Sequence, residues 1–269
     1  MNDRFGEGEW RPLPLFFVSQ SSGKDRIISD ACHGEHNDVV IEQDTIVTPS
    51  PDFIPEASRL LVEAIDKGAW RQPGPARCRL PDWAHLVAST DDLEDAYGQC
   101  PAHPSHRAVC IVAWYSEDKQ EWRFAESKGL VFGFKAAVTA FNRWPALILA
   151  SARRFCGLAA TNYFDDFLDI STQSAARSSR VALTAAADLN GGEFGEPKAV
   201  PHRQQPTFIG VVATLDEVAD TGSICLAPKA ECKASIKAEA AARLAQGVCT
   251  PAQASKLRGR AGWSSARSA

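Results

Sequence analysis

No run of about 18 apolar residues occurs in the chain, so no membrane-spanning helix is expected. Residues 1–10 are polar and acidic and lack the basic start and apolar stretch of a secretory signal. C-x-x-C pairs are missing as well. The 8 cysteines are scattered singly between Cys32 and Cys249, and a 269-residue chain buries enough core to need no covalent staples. These absences point to an intracellular protein with reduced thiols, in cytoplasm or nucleus, neither secreted nor membrane-bound. No internal repeat is present. A positive charge excess is also missing: the formal net charge is −4.

That charge is unevenly spread. Residues 228–269 carry Lys229, Lys233, Lys237, Arg243, Lys256, Arg258, Arg260 and Arg267 against Glu231 and Glu239 only. A basic C-terminal part can track a phosphate backbone, although a solvated helix face has the same composition. Nearly half the residues are apolar (45%), enough for a sizeable core.

The patterning mixes strands and helices without strict alternation, which predicts an α+β fold rather than a doubly wound sheet. Residues 12–18 and 24–29 read as short strands around the Ser21-Ser22-Gly23 turn. Helical spacing covers 56–67, with Ala57, Leu60, Leu61, Ala64 and Ile65 on one face. A short strand over 86–90 ends at Asp91-Asp92. Residues 108–114 and 121–125 predict a hairpin. A helix over 134–155 must kink or restart at Pro145. Strands are expected at 158–164, 167–170 and 207–215, and helices at 174–189 and 229–246. Thr250-Pro251 is suited to start a last helix. Trp114, Trp122 and Trp144 read as core residues.

The carboxylates carry the chemistry. Asp165-Asp166 sits between two β-forming runs, at the tip of an expected hairpin. Adjacent carboxylates repel, and a hard cation such as magnesium relieves that repulsion; taken alone, the pair is more simply an ordinary Asx turn. A second cluster, Asp91-Asp92-Leu93-Glu94-Asp95, follows a strand in the same way. Two strand ends side by side, each with an aspartate, make a two-metal site for in-line phosphoryl displacement. Cys32-His33-Gly34-Glu35-His36 offers zinc-type ligands, but no second half of such a site is evident.

Asp92-Leu93-Glu94-Asp95-Ala96-Tyr97 resembles motif A of reverse transcriptases. Gly129-Leu130-Val131-Phe132-Gly133-Phe134-Lys135-Ala136 onward resembles motif B, and Tyr163-Phe164-Asp165-Asp166 resembles motif C. Upstream, Lys24-Asp25-Arg26-Ile27-Ile28-Ser29-Asp30 is similar to the strand that holds the incoming triphosphate. Downstream, Gly195-Glu196-Pro197-Lys198 and Phe208-Ile209-Gly210 resemble motifs D and E. The matches come in the family order over residues 12–215. Val131 and Val138 stand where prolines are common, and the segment between Asp30 and Asp92 is longer than usual.

The resemblance, to a retrotransposon-like reverse transcriptase, implies a right-hand polymerase fold. Fingers would cover 1–84 and 100–134, and the palm 85–99 and 135–218. A truncated thumb with basic helices would cover 219–269. It implies Mg²⁺ or Mn²⁺ on Asp92, Asp165 and Asp166, and Lys198 as a proton donor to the leaving pyrophosphate. Lys24 and Arg26 would grip the triphosphate. Tyr97 would be the steric gate that rejects a 2′-hydroxyl, and Phe132 and Gly133 would lie against the nucleotide. The partners implied are a primed RNA or DNA template and deoxynucleoside triphosphates. Ribonuclease H and integrase modules are not encoded here, so the chain looks like a piece of a retroelement polyprotein. A catalytically inactive, domesticated nucleic-acid-binding remnant is the alternative, and a nuclease using the same carboxylates is a third reading.

Overall fold

The computed structural model describes residues 1–19, 23, 25–41, 44–69, 82–196 and 199–265. In chain order the elements are α1 (Asn2–Phe5), β1 (Pro12–Ser19), β2 (Asp25–Ser29), α2 (Phe53–Ala69), β3 (Leu86–Asp92) and α3 (Ala96–Gln99). Next come β4 (Ile111–Ser116), β5 (Glu121–Glu126), α4 (Lys135–Cys156), β6 (Ala159–Tyr163), β7 (Asp166–Thr172) and α5 (Ala176–Leu189). The chain ends with β8 (Val200–Arg203), β9 (Thr207–Phe208), β10 (Val211–Thr214), α6 (Val218–Thr221), β11 (Cys225–Pro228), α7 (Ala230–Gln246) and α8 (Pro251–Ser265). Helices and mostly antiparallel strands are mixed, as the sequence pattern predicts.

Two compact units result. The first comprises Met1–Val47, Leu93–Ile148 and Ala187–Glu193; the second comprises Thr48–Asp92, Leu149–Ala186 and Phe194–Ala269. The first unit is built on a four-stranded sheet of order β2-β1-β4-β5, in which only β1 and β4 run parallel. Leu13, Ala31, Ala102, Cys110 and Val131 form its buried cluster. Trp114 and Trp122 depart from the expected core role. They lie on β4 and β5 with 38% and 57% of their surface exposed. Trp144 is part-buried, and its indole N–H donates to the Asn190 carbonyl.

The second unit holds an all-antiparallel sheet of order β6-β7-β3-β8 and a smaller one of order β11-β10-β9. On one face of the larger sheet, Leu86, Ala88, Leu168 and Ile170 pack with Ile54 and Ala57 of α2 and with Phe208, Ala213 and Leu215. Each fully buried large side chain there contributes about 1.5–3 kcal/mol of apolar burial.

α4 runs from Lys135 to Cys156 with Pro145 inside it, so of the two expected outcomes the helix does not restart there. A helix gives up one backbone bond at an internal proline, and packing of buried Phe141, Ile148 and Ala152 on either side outweighs that loss. The strand expected over 207–215 is two strands, β9 and β10, joined by a turn at Ile209 and Gly210 with φ of 42° and 77°. Positive φ at both central residues marks a hairpin turn, easy for glycine and strained for a β-branched residue. Ile209 stays there because its side chain packs against the apolar cluster.

Candidate active site

β3 and β7 pair in register from Leu86↔Thr172 to Asp92↔Asp166. β6 and β7 form the expected hairpin, whose last pair is Tyr163↔Asp166, leaving Phe164 and Asp165 as its two-residue tip. Phe164 takes a φ of 55°, costly for a bulky side chain. Its carbonyl accepts from Asn162 Nδ2 at 3.0 Å, and its ring packs edge-on to Tyr163 at 5.0 Å. The tight tip holds Asp165 beside the end of β3.

Three carboxylates therefore converge. Asp92, Asp165 and Asp166 each offer one oxygen, and these oxygens lie within 4.8 Å of one another. Asp92 is buried, Asp165 half-buried and Asp166 exposed. Among the described residues no other group of three or more His, Cys, Asp or Glu is so arranged. An all-oxygen, all-anionic donor set that still reaches solvent fits a hard divalent cation such as Mg²⁺ or Mn²⁺. Among the described residues the Cys32–His36 stretch joins no such group. His36 is instead buried edge-on against Phe134, and burial holds its imidazole below the ordinary histidine pKa.

In the first unit, Tyr97 lies on α3 and stacks on Phe141 (centroids 4.7 Å apart, planes at 20°) while meeting Phe132 edge-on at 5.4 Å. Gly133 has a φ of 104°. A Cβ added there would collide with the Ser29 carbonyl oxygen. Glycine is the residue that fits this close approach of two backbones. Arg26 is exposed on β2, paired in register with Val18. Lys24 and Lys198, both assigned to phosphate chemistry, lie outside the described residues.

Sequence reading missed two supports of these residues. The first is Asn37, buried next to His36. Its side-chain oxygen accepts from Lys135 N–H at 2.8 Å, and its amide donates to the Gly133 carbonyl at 3.1 Å. One amide thereby caps α4 and fixes the turn before it. The second lies behind the carboxylate triad. Strand alternation sends Asp91 and Asp169 to the face opposite Asp92 and Asp166. Arg180 Nη2 donates to Asp91 Oδ1 at 2.9 Å; Ser179 Oγ donates to Asp169 Oδ2, and His202 Nε2 lies 3.1 Å from the same oxygen. Burial pushes the Asp91 carboxyl above the usual range, against the opposing pull of Arg180. Asp169 had a signal in the sequence: it interrupts the apolar run Phe167-Leu168-Asp169-Ile170.

No protein-family model matches the chain, and no curated protein does either. Solved structures do match. The foamy viral protease–reverse transcriptase dRH in complex with double-stranded DNA superposes with a TM-score of 0.60 at 15% identity, over 94% of this chain and 36% of that one. The foamy viral protease–reverse transcriptase in complex with double-stranded DNA gives 0.58 at 16% identity, over 94% and 42%. Its complex with an RNA/DNA hybrid gives 0.54 at 16%, over 93% and 27%. The chain thus has a reverse-transcriptase-like fold, and it spans less than half the length of these relatives. No helix among the described residues is long and apolar enough to cross a membrane.

Proposed function

We propose that the chain is the polymerase portion of a reverse transcriptase of retroelement origin, performing template-directed DNA synthesis. One observation carries this reading: three carboxylates converge at the end of the β3–β7 pair on a reverse-transcriptase-like fold. In this reading the palm holds that pair, the fingers hold the sheet around β1, and α7 and α8 form a short thumb.

Asp92, Asp165 and Asp166 would hold Mg²⁺ or Mn²⁺, which would supply stabilisation of charge on the attacking and leaving oxygens. The chain's own groups do the positioning on which phosphoryl transfer depends. Tyr97, which stacks on Phe141 and meets Phe132 edge-on, would sit under the sugar and exclude a 2′-hydroxyl. The turn at Gly133, whose Cβ-free side packs against the Ser29 carbonyl, would lie beside the nucleotide. Arg26 and Lys24 grip the triphosphate, and Lys198 supplies a proton to the departing pyrophosphate. The exposed lysines of the C-terminal helices face the duplex phosphates, and the neighbours bound to double-stranded DNA and RNA/DNA hybrid support such a partner.

Extension of a primed RNA or DNA template with deoxynucleotides and Mg²⁺ tests the reading. Asp165→Asn is expected to slow extension by about 10²-fold or more, several kcal/mol of lost charge stabilisation. Tight primer–template binding with no incorporation under Mg²⁺ or Mn²⁺ would instead identify an inactive remnant. Cleavage of the nucleic acid that Asp92→Asn abolishes would identify a nuclease.

A further inference from the structure

The buried face behind the carboxylate triad is unusual in chemistry. Asp91 and Asp169 are 4% and 0% exposed, on adjacent central strands of one sheet. Burying two carboxylates in this way costs free energy that well-packed apolar residues would not. Both are held by one helix. Ser179 and Arg180 are consecutive on α5; Ser179 bonds to Asp169 on β7, and Arg180 pairs with Asp91 on β3. Each anchored residue also lies close to the candidate ligands. Asp91 directly precedes Asp92, and Asp169 lies on the strand that Asp166 begins. Consecutive Cα atoms on a helix are separated by a fixed ~3.8 Å. Two anchors at that spacing, one to each strand, restrict sliding of β3 against β7. Such sliding changes the distance from Asp92 to Asp165 and Asp166. His202 on β8 adds a third attachment at Asp169.

We propose that Ser179 and Arg180 are positioning residues, a clamp that sets the separation of the metal-binding carboxylates from the far side of the sheet. The proposal rests on the reading of Asp92, Asp165 and Asp166 as metal ligands. A merely structural clamp would support the fold and leave metal affinity alone; a positioning clamp governs affinity beyond any loss of stability.

The test is Mn²⁺ binding to the full chain, followed by electron paramagnetic resonance, with thermal unfolding measured on the same samples. Wild-type binding should be lost in Asp165→Asn. Ser179→Ala and Arg180→Gln should each weaken Mn²⁺ binding about tenfold, and Arg180→Lys and Ser179→Thr should recover most of it. Leu183→Ala, which trims a buried apolar side chain on the same helix, serves as the destabilised control and should bind Mn²⁺ as wild type does. Wild-type affinity in both clamp variants overturns the proposal. So does an equal loss in Leu183→Ala. Wild-type Mn²⁺ binding that ignores Asp165→Asn is a separate result: it overturns the ligand reading, and the clamp falls with it.

Discussion

Gly133 is tightly constrained by its surroundings. Gly133→Ala combines an unfavourable φ with a collision against the Ser29 carbonyl, a backbone atom that moves only with its strand. The expected cost is about 2–4 kcal/mol, read as a lower midpoint in urea unfolding. Tyr97 tests a different property. Its ring stacks on Phe141 and meets Phe132 edge-on, and the proposed function makes it the steric gate. In Tyr97→Ala the preference for deoxynucleotides over ribonucleotides, measured as a ratio of kcat/KM values, should fall by about 10–200-fold. An unchanged ratio removes Tyr97 from the gate. Among site residues, the triad was legible because Asp165-Asp166 and Asp92 each announce themselves at the end of an apolar strand. Asn37 was not. Its two partners lie about a hundred positions downstream, and no local pattern distinguishes a bracing asparagine from a loop asparagine. Asp91 was read with Asp92 as one cluster, although strand alternation sends the two side chains to opposite faces.

Elements made of local pairs read well from sequence: the β4–β5 and β6–β7 hairpins are each closed by a short turn between β-forming runs. The β9–β10 turn did not, because Ile209 has the wrong chemistry for it and is kept by packing that only the fold reveals. At the C-terminus, Thr250 opens α8 as expected. Its Oγ1 accepts from Gln253 N–H at 3.3 Å, and the Gln253 side chain accepts from Thr250 N–H at 3.0 Å, a reciprocal cap. α7 has no buried residue, so its role is on its surface. Lys229, Lys233 and Lys237 recur every four residues along one exposed face. Replacing all three by glutamine should weaken duplex binding at every sequence. It should also flatten the plot of log affinity against log salt by up to about 3, near 0.9 for each phosphate no longer neutralised. An unchanged slope would mean that this face is merely solvated.

Across the whole molecule, each unit buries a titratable group whose shift has a distinct sign. His36 in the first unit has a lowered pKa, so the unfolded chain binds its proton more readily. Its contribution is intact above the ordinary value of 6.5 and is lost as pH falls from there through the lowered folded value. Asp91 in the second unit has a raised pKa. It disfavours folding when ionised, and that penalty is relieved as pH falls through the raised value toward 3.8. In metal-free protein, acidification should therefore lower wild-type stability relative to His36→Gln and raise it relative to Asp91→Asn. Urea midpoints at stepped pH check both slopes, and slopes of the same sign would refute the assignment.

The register of β3 also has a consequence for the order of events during synthesis. β3 ends at Asp92, and its neighbours β7 and β8 begin at Asp166 and Val200. At roughly 5–20 residues per second, β3 leaves the ribosome several seconds before either partner exists. It waits as a strand with its central position empty on both sides and with Ser89 and Asp91 unable to reach their folded surroundings. The triad, the sheet that holds it and the helix behind it therefore assemble together and late, after the hairpin of β4 and β5 has already had its chance to form.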